Sequence, residues 1–416
     1  MGVRMMRDHE RGEAERGRVL LISNGHGEDQ ISAVLGKSLA EVAPELALSA
    51  LPLVGSGQAY LEQGIPLLMQ GENLPSGGFS RNSLKNLWMD IKAGLLGDIS
   101  DQIHLLKRVR EKVDLAVCVG DVYLIILAGN FLRKPIYFLP TAKSDYIASH
   151  WRIEVSLMRR FCQRIFPRDA KTAASLAKKG LPAAFMGNLM MDCLYFKDPA
   201  YFGQENGWVI ALLPGSRGEA YDNMVDLAEV LLAFERMLQP RKDFPPCRYL
   251  LALAGGLDPH QMAEKITPFG WRLLPAKTDE TANGILGHLQ APAQNGEIQI
   301  SIVKGRFADV LAASDLVLGL AGTGNEQAVG LGKPVITFPG RGPQFSQKFA
   351  RIQKRLLGDA VSLVDREPVI IARELLKIIT DASRREQMGR IGQERMGPPG
   401  GAHKIALQIK DYFQSD

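Results

Sequence analysis

Short apolar runs that end in a Gly-, Asp- or Pro-containing turn and then pass into a helical period recur along this chain. That alternation dictates parallel sheets covered by helices on both faces. In the first half the runs are RVLLIS (18–23), VDLAVCV (113–119) and PIYFL (135–139). In the second half they are WVIALL (208–213), RYLLALA (248–254), IQISIV (298–303), DLVLGL (315–320) and KPVITF (333–338). The series restarts after DPAYFGQENG (198–207), a polar stretch that reads as a linker. Residues 255–296 are less regular and read as a surface insertion near DETANGILGHLQAPAQNG.

Two doubly wound, Rossmann-like domains follow, which 416 residues accommodate comfortably. The expected division is a frayed tail at 1–17, an N-terminal domain at 18–198, a C-terminal domain at 199–395 and a final helix within 396–416. A hydrophobic content of 46% with 23% charged residues is that of a globular protein and excludes a disordered or fibrous class. The net charge of +5 is mild; it implies no nucleic-acid partner and permits affinity for phosphates or an anionic membrane surface. Cys118, Cys162, Cys193 and Cys247 lie far apart with no CxxC pair, so they read as reduced structural thiols and no metal site is expected. The charged N-terminal stretch lacks the apolar core of a secretory signal, and no apolar run approaches the ~20 residues that span a bilayer. A cytoplasmic location is expected.

In open α/β sheets ligands bind at the carboxyl ends of the strands, so function is sought in the turns there. The first strand runs into SNGHGEDQIS (23–32). Gly25 and Gly27 permit close backbone approach, Asp29 suits a helix cap, and Asn24, His26 and Glu28 stand in the same turn. This is not a GxGxxG fingerprint, and none follows a strand elsewhere, which disfavours a dinucleotide oxidoreductase. VGSGQAYLEQG (54–64) again places glycines, Gly57 among them, where a strand should end. Asp121, directly after Gly120, is either a general base projecting toward an acceptor hydroxyl or the cap of the next helix.

The second domain opens with a strand leading into Pro214, Gly215, Ser216 and Arg217, where helix-start amides and a guanidinium suit a phosphate. A further strand ends in GLAGTGNEQAVGLGKPVITFPGRGPQF (319–345). Here Gly322, Thr323 and Gly324 form a turn, Asn325 suits a cap, and Glu326 either holds two ribose hydroxyls or complements the helix dipole. The turn 339–344 adds amides, Arg341 and Gln344, suited to sugar or phosphates. Together these turns point to a nucleotide diphosphate bound mainly by the C-terminal domain, with helix amides and Arg in place of a cation and no cofactor.

On LLPGSR (212–217), AGTGNEQA (321–328), GSGQAYLEQG (55–64), MGNLMMD (186–192) and RMGPPGGAHKIA (395–406), the chain resembles the lipid-A-disaccharide synthase family. The resemblance implies a GT-B fold with two domains facing a central cleft and a final helix that returns to the first domain. It implies an inverting, metal-independent transfer of an N-acetylglucosamine-type sugar from a UDP-sugar to a lipid or glycolipid acceptor. Asp121 or His26 would be the base, Arg217 and 323–325 would hold UDP, and Glu326 its ribose. The family's Ser-Gly-Glu-x-Ser-Gly-Asp reads SNGHGED here, its Gly-His-Pro-Leu carries Asn188, and its Asp-x-Pro-Asp keeps only Asp121. These departures cluster on the acceptor side, so the acceptor is unread. Segment 79–113, with Leu84, Trp88, Ile91 and Leu95 among Arg81, Lys85 and Lys107, is either a membrane-surface helix or an amphipathic helix packed on the first domain. Two other readings stand beside the transferase: a UDP-sugar 2-epimerase, and a binding module without catalysis.

Overall fold

The computed structural model describes residues 17–69, 95–203, 205–241, 243–293 and 296–415. The described residues form two compact units: those up to Cys193 together with those from Pro399 onward, and those within Leu194–Pro398. The break lies before the polar stretch 198–207, because the backbone N–H groups of Lys197 and Asp198 both donate to Asp309, at 2.8 and 3.1 Å, within the second unit. The tail up to residue 16 lies outside the described residues.

The first unit is built on five parallel strands: β1 (Arg18–Ser23), β2 (Ala47–Pro52), β3 (Leu115–Gly120), β4 (Ile136–Pro140) and β5 (Cys162–Ile165), in the order β2-β1-β3-β4-β5. β3 and β4 are buried throughout, as strands covered on both faces must be. Successive residues feed opposite faces. Leu20, Ile22, Cys118 and Phe138 pack in one apolar cluster, and Val19, Leu21, Val117 and Leu139 in another. The helices Leu95–Val109, Val122–Leu127 and Arg152–Phe161 contribute to the first cluster, and His26–Val42 and Gly401–Gln414 to the second. The helix Gly401–Gln414 packs on this unit, and Asp192 accepts hydrogen bonds from the N–H groups of Gly400 and Ala402 at its start.

Of segment 79–113, residues 79–94 lie outside the described residues. The described remainder takes the second of its two readings, packing Leu105, Leu106 and Val109 into the core while Gln102 donates to the Leu53 carbonyl.

The second unit has eight strands: β6 (Trp208–Leu213), β7 (Cys247–Leu253), β8 (Arg272–Pro275), β9 (Ile285–Ala293), β10 (Gly296–Lys304), β11 (Leu316–Gly319), β12 (Val335–Thr337) and β13 (Val361–Leu363). Their order is β13-β12-β11-β6-β7-β10-β9-β8. Residues 255–296 are therefore no surface insertion. They supply β8 and β9, which extend the sheet antiparallel from β10, and Leu289 and Ala291 are core.

In each sheet the first strand has later strands of the same unit on both sides of it. In the first unit β1 leads outward to β2, and β3 then lands on the other side of β1. In the second, β6 leads through β7 to β8–β10, and β11 lands on the other side of β6. Such switch points open a crevice at the strand ends where no connection crosses.

Candidate functional site

The turns after β1 and β3 flank the first switch point. Asn24 lies over Gly120, whose φ is +148° and where a Cβ would come within 2.0 Å of the Asn24 Oδ1. The imidazole of His26 rests in the same way on Gly55, φ +86°, where a Cβ would come 2.6 Å from its Cε1. Both positions need glycine for shape and for backbone conformation. Glu28 folds back over Gly25 and accepts from the Thr141 hydroxyl at 3.1 Å, which ties the first turn to the end of β4. His26 and Gly27 are exposed and Glu28 is half-buried. Asn24, His26 and Glu28 therefore converge on one surface.

Asp121 takes the capping role: its Oδ1 accepts from the Tyr123 N–H at 2.8 Å. Asp29 does not cap its helix, which begins one turn earlier with Gly25 as N-cap. Its carboxyl points into the core, accepting from the Ser23 hydroxyl at 2.6 Å, and that hydroxyl also lies 2.6 Å from the Tyr60 hydroxyl. Burial pushes Asp29 up to about 7, against the opposing pull of the Ser23 hydrogen bond, with the neighbouring Glu28 charge adding to the rise. Burial likewise raises the Tyr60 phenol, so it stays protonated. Gly57 opens the short helix Gln58–Glu62 in a left-handed conformation, with Pro52 and Leu67 against it. Asn188 is buried and caps Leu189–Asp192 through the Met190 N–H. Beside it, Ile31, Leu139, Phe166, Leu189 and Met190 line an apolar slot that opens next to Thr141.

In the second unit the turns after β6 and β11 flank the switch point. Gly215 has φ +119°, and Ser216 and Arg217 are exposed. The helix starts at Glu219, with Gly218 as N-cap and no side-chain cap. The helix Thr323–Gly330 likewise starts without a side-chain cap, behind Gly322. Gly324 is pressed against Ala321, Leu213 and Phe307, Thr323 is exposed, and Glu326 is half-buried in the first turn. Two neighbouring helix starts without a side-chain cap thus face the strand ends, the arrangement that draws anionic groups.

Asn325 is not a cap. It is fully buried and donates to the Gly319 carbonyl at 3.0 Å and to Gln353 at 2.9 Å. Gln353 donates in turn to the carbonyls of Ala321 and Gly322, clamping the turn from behind. A second buried amide, Asn223, donates to the Pro214 carbonyl and accepts from the Arg341 N–H, both at 2.8 Å, and so joins the turn after β6 to the turn after β12. The Arg341 guanidinium, expected to face sugar or phosphates, makes a two-pronged contact with Asp226 at 3.0 and 2.7 Å, and that carboxylate raises its pKa. Its anion is supplied by the chain, and the residue fastens its own loop. Gln344 is exposed, and its N–H lies 3.4 Å from Glu219.

Sequence reading missed Thr141, Asn223, Asp226 and Gln353. An Asn and an Asp one turn apart on a helix, as in YDNMVD (221–226), were the one available signal. Among the described residues no group of three or more His, Cys, Asp or Glu is gathered that could hold a metal ion.

No protein-family model matches the sequence, and no curated protein matches it by sequence. The fold does match solved structures. UDP-GlcNAc 2-epimerase from Neisseria meningitidis, bound to UDP-GlcNAc, superposes with a TM-score of 0.55 at 16% identity over 96% of this chain and 100% of its own. CalG4, the calicheamicin glycosyltransferase, gives 0.58 at 15% over 96% and 98%. MurG from Acinetobacter baumannii gives 0.55 at 12% over 95% and 99%. These neighbours have the GT-B fold, and this chain shares its two Rossmann-like α/β domains.

Proposed function

We propose that the protein is a glycosyltransferase that takes a UDP-sugar donor in its second unit and a lipid or glycolipid acceptor on its first. The observation that carries this reading is the pair of helix starts without a side-chain cap, Glu219 and Thr323, side by side at the switch point with Arg217 and Glu326. Helix amides and the guanidinium would neutralise the diphosphate, and Glu326 would accept from the ribose hydroxyls. The sugar is of the N-acetylglucosamine type, and the family resemblance supports a metal-independent transfer with inversion.

In that reaction the acceptor oxygen attacks the anomeric carbon, the bond from that carbon to the diphosphate oxygen breaks, and the acceptor proton passes to a base. His26 is the base that the geometry favours, because its ring is exposed above Gly55 while Asp121 is engaged by the Tyr123 N–H. The apolar slot beside Thr141 suits an acceptor with a hydrocarbon part.

Thermal melting of the whole protein with a panel of nucleotides tests the donor site. UDP or a UDP-sugar raises the melting temperature, and Arg217→Ala and Glu326→Ala abolish the rise. If no nucleotide shifts it, the reading fails.

A second reading, a UDP-sugar 2-epimerase, draws on the match to UDP-GlcNAc 2-epimerases across nearly the whole chain. Incubation with UDP-GlcNAc alone separates the two. An epimerase converts it at C2 without an acceptor, whereas a transferase returns it unchanged.

A further inference from the structure

From Arg133 to Lys179 the sequence carries eleven Lys and Arg against three acids, a net +8 along that stretch in a protein whose total is +5. None of the three acids is exposed: Glu154 and Asp169 are buried and Asp145 is half-buried. In the middle of this stretch two large apolar side chains stand out into solvent, Trp151 at 68% and Ile153 at 66% relative exposure, with the exposed Arg152 between them. Isolated exposed apolar residues are ordinary; a Trp and an Ile projecting together from one corner are not.

The corner is built rather than frayed. The Trp151 N–H donates to Glu154 at 2.8 Å, and the Lys143 ammonium lies both 2.7 Å from Glu154 and 4.0 Å from the centre of the Trp151 ring. The preceding loop is pinned to the helix Ala170–Lys178 by the Asp145 N–H on Thr172, and there Lys171 stands over the Tyr146 ring at 4.7 Å. Aromatic rings with an apolar body and a wet edge, each beside a long cationic side chain, are what the headgroup layer of a bilayer accommodates. An excess of exposed cations adds attraction to anionic lipid.

We propose that this corner of the first unit docks on an anionic phospholipid bilayer, with Trp151 and Ile153 entering the headgroup layer and Arg152 and its neighbours meeting lipid phosphates. The loop that carries it leaves the end of β4 at Thr141, the residue bonded to Glu28 of the candidate site. A lipid acceptor would thus reach the first turn from the membrane. Only that last consequence rests on the transferase reading; vesicle binding is measured without any donor, so the two fail independently.

The test is flotation of the full-length protein with phosphatidylcholine vesicles, with and without phosphatidylglycerol. We expect binding to the anionic vesicles alone. The doubly changed Trp151→Ser, Ile153→Ser protein should bind roughly tenfold more weakly, and Arg152→Ser with Arg160→Ser also roughly tenfold more weakly. Both variants change exposed residues, and an unchanged melting temperature verifies their fold. A blue shift of tryptophan emission on adding anionic vesicles, lost in Trp151→Phe, reports insertion directly. Absence of binding to anionic vesicles overturns the proposal. So does binding that survives loss of Trp151 and Ile153, or a duplex DNA of equal charge that displaces the vesicles with the blue shift absent, since either outcome leaves only unspecific charge.

Discussion

Asn325 donates its side-chain amide to Gln353 at 2.9 Å inside the core of the second unit, and through that one bond the turn after β11 is fixed by a residue 28 positions further along the chain. Gln353 completes the clamp by donating to two carbonyls of the turn itself.

Replacing Asn325 with Ala leaves the Gln353 oxygen without its donor in a buried setting. The expected loss is about 1–3 kcal/mol of stability, together with a weakened nucleotide-induced melting shift because the turn is released. Urea unfolding checks the first and the melting panel the second. A variant as stable as the parent would show that the clamp carries no energy.

The helix Ala382–Met396 lies against the helix Thr323–Gly330 through glycine: a Cβ on Gly392 would come 2.3 Å from the Val329 carbonyl oxygen, and one on Gly389 2.7 Å from that of Gly332. Backbone cannot yield as a flexible side chain does, so Gly392→Val should cost roughly 3 kcal/mol or more through overpacking. Gly256→Ala, where a Cβ meets nothing within 4 Å, should change stability by less than about 0.5 kcal/mol. Chemical denaturation of the pair decides the point; equal losses would contradict the close approach.

Asp29 predicts an inverted pH dependence. Its carboxyl keeps a proton in the folded state up to about 7, whereas in the unfolded chain it releases that proton near 4. Its contribution to stability is complete below about pH 4 and is lost as the pH rises through 7, by at most about 4 kcal/mol. Asp29→Asn, which can still accept from Ser23, should flatten this slope and gain on the parent at pH 8 relative to pH 5. Parallel pH profiles of the two proteins would refute the buried protonated carboxyl.

The candidate turns of the two units should separate kinetically. His26→Ala is expected to lower kcat by roughly a hundredfold or more while donor-induced stabilisation persists, and Arg217→Ala should abolish that stabilisation. Single-turnover rates and melting shifts on the same preparations make the comparison. A His26 variant of normal rate would move the base to another residue.

Strands of uninterrupted apolar residues were readable from the chain. WVIALL is β6 to the residue, and RVLLIS is β1. What escaped was sheet without that pattern: β5 is CQRI, with two exposed middle residues, and β9 carries Gly287, His288, Gln290 and Pro292 among its apolar positions. Their pairing partners, not their composition, make them strands. At the site the turns were legible because glycine and short polar residues mark them, but the use of each polar group was not. Asn325 and Asp29 sit where a cap would be sought and instead point inward, because the partners that draw them, Gln353 and Ser23, are set by tertiary packing. Asn188 does serve as the cap of its short helix.

The returning helix has a bearing on how the protein is made. Ile405, Ala406 and Ile409 complete the apolar layer over Ile31, Leu35 and Leu39 of the helix His26–Val42. During synthesis those early residues leave the ribosome long before the late ones exist, while the whole second unit emerges between them. The first unit must therefore wait, with one face of its sheet incompletely covered, until the helix Gly401–Gln414 has been made, and the unit encoded between its two parts is the first that can finish folding. That exposed interval is where a chaperone would find this chain.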